Sequence, residues 1–167
     1  MKTCKLLREQ VAAATGSKKA ELVLKNAQIV NVFTQSVETG DIAIEGGYIV
    51  GIGNYEGITE KDLGGAYVCP GFLDGHIHIE SSMTSPGEFE RAVVPHGTIA
   101  VITDPHEIAN VAGTAGIRFM MQSAQKLDLD VYFMLPSCVP ATDLDESGAE
   151  LLARDLEPFY ADEKVLG

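Results

Sequence analysis

Residues 70–82 read Pro70-Gly71-Phe72-Leu73-Asp74-Gly75-His76-Ile77-His78-Ile79-Glu80-Ser81-Ser82. After the Pro-Gly punctuation, an apolar start followed by alternating isoleucines predicts a strand over 72–79 with a polar tail. Residues two apart in a strand point the same way. Asp74, His76, His78 and Glu80 therefore share one face, and Ile77 and Ile79 the other. Two imidazoles about 6.5 Å apart along the backbone can turn their outer nitrogens onto one divalent ion. Neutral histidine is a good ligand for zinc, iron, manganese or cobalt. Asp74, or a neighbouring carbonyl, can hold a ring N–H from behind. The plainer alternative is a pair of histidines that only alternate, with Ser81 and Ser82 ending the strand.

Outward from this stretch the chain repeats a rhythm. Ser85-Pro86-Gly87-Glu88 offers an N-cap, a proline at the first helical position and a glutamate at the third. The helix it opens runs to about Val94 and is stopped by Pro95-His96-Gly97, which gives His96 a surface or capping role. "TIAVIT" (98–103) is the next strand, apolar nearly throughout, as for a strand covered on both faces. A helical stripe occupies 114–127, with Ile117, Met120, Met121, Ala124 and Leu127 on one side. "DVYFML" (130–135) is a third strand, and Ser147 to Glu150 opens a further helix to about Leu156. Strand–helix alternation at roughly 25–30 residues is the βα repeat of a parallel sheet. A doubly wound sheet and a (β/α)₈ barrel share it, and three units are too few to close a barrel.

Chemistry gathers at the carboxyl ends of parallel strands. The second strand ends in Asp104-Pro105-His106-Glu107 and the third in Pro136-Ser137-Cys138. His106 and Glu107 are thus the nearest partners for the histidine pair. Pro105 holds Asp104 extended and so shapes the loop presenting them. Cys138 has no histidine near it in sequence and reads as a small buried group.

Upstream the period differs. Residues 4–14 predict a short helix, ended by "TGSKK". Residues 21–68 predict an antiparallel sheet module, with a break at Asn26 and a hairpin at Gly46-Gly47. Three segments follow: a helical leader (1–20), a partial β-sandwich (21–69) and the βα units (70–167).

The 167 residues, 46% hydrophobic and 22% charged, describe a globular protein rather than a disordered one. The formal net charge of −12 argues against a nucleic-acid backbone or an anionic membrane as partner. Three cysteines, with no CxxC, suggest neither a redox pair nor a zinc knot. A reducing cytoplasm is the simplest compartment, and no stretch reads as a signal or membrane span.

"PGFLDGHIHIESS" resembles the first barrel strand of the amidohydrolase superfamily, whose PGxxDxHxH pattern runs here through Pro70, Gly71, Asp74, His76 and His78. Within it, "GDIAIEGGYIVGIG", "GHIHIESSMTSP", "DPHEIANVAGTAGI" and "PSCVPATDLDESGAE" resemble the adenine deaminases. That resemblance implies a (β/α)₈ barrel beside a small β-sandwich, hydrolysis of adenine to hypoxanthine and ammonia in purine salvage, and a homo-oligomer at full length. It implies a binuclear manganese or iron centre, with His76 and His78 as ligands on the first strand and His106 and Glu107 on a loop at the active-site end. In the family a metal-bridging carboxylate, further histidines and the aspartate handling the proton follow the phrase "KVLG". The chain is therefore expected to be an amino-terminal portion, inactive alone. The alternatives are another amidohydrolase, such as a deacetylase or cyclic amidase, and a non-catalytic truncated product. A nucleotide-binding doubly wound domain lacks its G-x-G-x-x-G after the first strand.

Overall fold

The computed structural model describes residues 4–167, which divide into two compact units, one ending at Pro70 and the other spanning Gly71–Gly167. Among the described residues no helix is long and apolar enough to cross a membrane.

In the first unit α1 (Cys4–Ala14) lies on a sheet built from β1 (Ala20–Asn31), β2 (Ser36–Glu45), β3 (Tyr48–Gly53), β4 (Gly57–Asp62) and β5 (Tyr67–Val68). Ala13 of α1 is fully buried with Ala20, Val23 and Ala43, so the helix shares the sheet's core instead of standing apart as a leader. Gly46 and Gly47 both have positive φ, 57° and 77°, which a two-residue hairpin between β2 and β3 requires. The sheet order is β3-β2-β1-β4, with β5 also beside β1.

Two expectations need correction here. The sheet is mixed: β2 runs antiparallel to β1 and β3, but β4 and β5 run parallel to β1. Alternation reports which face a residue takes and says nothing about strand direction. The chain crosses from β3 to the far side of β1 through residues 54–56, where Lys25 Nζ donates to the Tyr55 carbonyl (2.9 Å) and the Tyr55 N–H to Asp41 Oδ2 (3.4 Å). Asn26, in turn, does not break a strand. It sits at φ 58° in a bulge between Leu24 and Ala27 of one continuous β1, its N–H donated to Asp41 Oδ1.

The second unit has a three-stranded parallel sheet, β6 (Phe72–Ile77), β7 (Thr98–Thr103) and β8 (Asp130–Phe133), in that order. α2 (Pro86–Val93) connects β6 to β7, and α3 (His106–Ala124) connects β7 to β8. Ile79, Phe89, Val101, Met120, Leu129, Val131 and Phe133 form the core between sheet and helices. Residues 164–167 then run alongside β8: the Phe133 N–H donates to the Lys164 carbonyl and the Leu166 N–H to the Phe133 carbonyl, both at 2.8 Å.

The helix at 114–127 begins eight residues earlier than its apolar stripe suggests, so Asp104-Pro105-His106-Glu107 is a helix start rather than a loop. Gly113 explains the misreading. Its φ 58°, ψ −142° kinks the helix and breaks the period between the two halves. Ser147 opens no helix: its hydroxyl donates to the Asn110 carbonyl (2.9 Å), tying the loop to α3. The last helix, α4, is only Ala153–Leu156, and the Asp155 carboxylate accepts the Leu152 N–H at its start. Cys138 is exposed, not buried; the neighbouring Val139, 3% exposed, takes the interior place in that loop.

Candidate metal centre

β6 reaches its carboxyl end through an irregularity. Asp74 pairs with Val101 and Ile77 with Thr103, so β6 has one more residue than β7 between those pairs. Such an extra residue re-aims the side chains around it. Asp74 braces the spot, its Oδ1 accepting the His76 N–H at 3.0 Å rather than holding an imidazole. Ile77 and the fully buried Ile79 face the core, leaving His76 and His78 together on the outer side.

The two rings meet edge to face, with centroids 5.0 Å apart and planes at 73°. Their Nε2 atoms are 3.1 Å apart. Two nitrogens bound tetrahedrally to one ion at 2.0–2.1 Å stand about 3.3 Å apart. The pair is thus already at the spacing of two ligands of a single ion. Among the described residues no third His, Cys, Asp or Glu gathers with them into a ligand cluster. They fit one edge of a coordination sphere, not a whole one.

Behind the pair stands Glu107. His78 Nδ1 lies 2.9 Å from Glu107 Oε2, and the Ser81 hydroxyl donates to Glu107 Oε1 at 2.8 Å. Desolvation pushes the Glu107 carboxyl up. The hydrogen bonds from Ser81, its own N–H and His78 outweigh that and hold it below the ordinary carboxylate range. A carboxylate only accepts, so Nδ1 of His78 donates to Glu107, and the 3.1 Å contact between the two Nε2 atoms is a hydrogen bond in which one ring donates to the other.

The expected strand over 72–79 ends at Ile77, and Ile79–Ser82 forms a 3₁₀ turn, so Glu80 does not continue the histidine face and takes part differently. Its Oε1 accepts the N–H of Ile108 in the first turn of α3, at 3.2 Å, while its Oε2 is sealed from solvent without a partner. Burial pushes its carboxyl above the usual range. Of the residues singled out from the sequence, His76, His78 and Glu107 come together. His106, at the first position of α3, does not join them: its Nδ1 is 3.8 Å from Asp104 Oδ2. The parts played by Glu80 and Ser81 escaped sequence reading, because each acts across 26 or more residues on a helix start hidden by the Gly113 kink.

Comparison with known proteins follows the same lines. The chain is 57% identical over 98% of its length to adenine deaminase 2 of Carboxydothermus hydrogenoformans, and 58% identical over 96% to the adenine deaminase of Geobacillus kaustophilus. It spans only 29% and 28% of those relatives. Among solved structures, N-acyl-D-glutamate deacylase of Bordetella bronchiseptica, crystallised with zinc and a phosphonate inhibitor, matches 84% of this chain and 34% of its own. The TM-score is 0.53 at 15% identity, a likeness of fold alone. The sequence model of the amidohydrolase family matches residues 67–166, well over half of the chain. The chain belongs to the amidohydrolase family.

Proposed function

We propose that this chain is the segment of an adenine deaminase that carries its first metal-binding strand. The observation that carries the reading is 57% identity, across 98% of the chain, to a protein so named. The parallel β6-β7-β8 sheet, with residues 164–167 joining its edge, supports the opening of a (β/α)₈ barrel. The unit ending at Pro70 is then part of the accompanying β-sandwich.

In this reading His76 and His78 offer their Nε2 atoms to a divalent ion, manganese or iron, in a binuclear centre whose other ligands lie outside this segment. Bound there, the ion supplies Lewis acidity that lowers the pKa of water enough for attack near neutral pH. Glu107 holds the Nδ1 proton of His78 and so keeps Nε2 a lone-pair donor. Ser81 locks Glu107 from its other oxygen. Ile77 at the end of β6 and Ile79 in the turn after it, both packed on the core, fix the backbone on either side of His78. The net reaction adds one water to adenine and releases hypoxanthine and ammonia. His106 is assigned no step.

Substrate profiling tests the assignment. The full-length, manganese-loaded protein should release ammonia from adenine and leave N-acylated amino acids and cyclic amides untouched. Hydrolysis of those amides with adenine inert would overturn it.

A further inference from the structure

Three hydrogen bonds tie His78 and the 3₁₀ turn that follows it, Ile79–Ser82, to the first turn of α3: His78 to Glu107, Ser81 to Glu107, and Ile108 to Glu80. The third differs in kind, because it holds backbone rather than side chain. α3 has Pro105 at its N-cap, which offers no side-chain acceptor, and no cap of its own. The Ile108 N–H is the third of the helix, the donor that a capping side chain ordinarily satisfies. Glu80 supplies that acceptor from 28 residues away. It caps α3 from another element and thereby fixes where the helix begins relative to the histidine pair.

We infer that Glu80 is a positioning residue for the metal pair: by capping α3 from the 3₁₀ turn after His78 it places Glu107 against His78. This rests on the reading of His76 and His78 as metal ligands. Glu107 reaches His78 through three rotatable bonds, so its carboxylate stays in place only if its own backbone is held. The Glu80 bond is one residue away, at Ile108. The other carboxylate oxygen is buried without a partner, an arrangement that costs stability. A local Ser or Asp cap at residue 105 would serve the helix equally well but would not tie it to the turn after His78.

The test uses the full-length protein and reads manganese affinity, measured well below the thermal midpoint, beside kcat and KM for adenine. E80A should weaken manganese binding about 10-fold, the low end of the range for losing a residue that bonds a ligand, since Glu107 keeps its other partners, and lower kcat more than it changes the KM for adenine. E80Q keeps an acceptor oxygen and should recover most of the affinity. E80D, one methylene short of Ile108, should fall between and stays informative if E80A does not fold. Manganese affinity within twofold of the parent in E80A or E80D would overturn the inference, as would an E80Q defect equal to that of E80A. H76A/H78A separates the two levels. If it abolishes metal binding while the Glu80 variants do not weaken it, only the role of Glu80 fails; if it leaves metal content unchanged, the ligand reading fails and the inference with it.

Discussion

His78 is the residue on which most of the local structure converges. Its ring is held by a carboxylate that is itself held by a serine, and its Nε2 is 3.1 Å from that of His76. Removing the carboxylate frees the ring and the tautomer together. E107A should therefore lower manganese affinity about 10- to 100-fold, and S81A by less, since Glu107 keeps its other partners. Calorimetric titration of metal into the apo forms checks the order; S81A costing more than E107A would contradict it. The histidine pair was legible in the sequence because a period of two puts His76 and His78 on one face. The bulge near Gly75 and His76 and the bond from Glu107 were not. The first depends on register with β7, and the second on a contact 29 residues away.

At the scale of elements, α3 carries Glu107 in its first turn and a kink seven residues in. Gly113 sits at φ 58°, ψ −142°, a conformation closed to residues with a Cβ, and a Cβ there would come within 3.1 Å of the Ala149 Cβ. G113A should cost about 1–3 kcal/mol, seen as a lower thermal midpoint. If the first turn tilts as the kink straightens, metal affinity drops too. An unchanged midpoint would mean that the kink is not strained. The β1–β2 bulge makes a prediction about pH. Lys25 holds Asp41 below the ordinary carboxylate range, and Lys18 does the same for Glu45. A depressed carboxylate stabilises the fold fully above its unfolded pKa, near 4, and loses that contribution as pH falls towards the folded value. The lysines are raised, so their share is complete below about 10.5 and fades only as pH rises through the folded value. D41N should lower the thermal midpoint at pH 7 and flatten its decline as pH falls below the ordinary carboxylate range, near 4. A decline as steep as the parent's would assign the acid limb to other groups. The same bulge shows what patterning misses: Asn26 looked like a break, whereas Asp41 bonds its N–H and lets β1 continue.

For the whole molecule, the parallel sheet of the second unit followed from strand–helix rhythm, because a βα repeat leaves few other arrangements. The direction of β4 and β5 did not follow, since a polar/apolar pattern reads the same whichever way a strand runs. The length of α3 was hidden for a related reason: its apolar stripe is interrupted where the backbone bends. The amidohydrolase family model matches residues 67–166, and within that span two Nε2 atoms meet just beyond the carboxyl end of β6. The proposed function requires those two atoms to grip the same ion. The most direct measurement is the metal content and manganese affinity of the full-length protein, parent against H76A/H78A, each shown to be folded. Loss of bound metal together with adenine-dependent ammonia release is the predicted result; full metal occupancy in the double variant would contradict it.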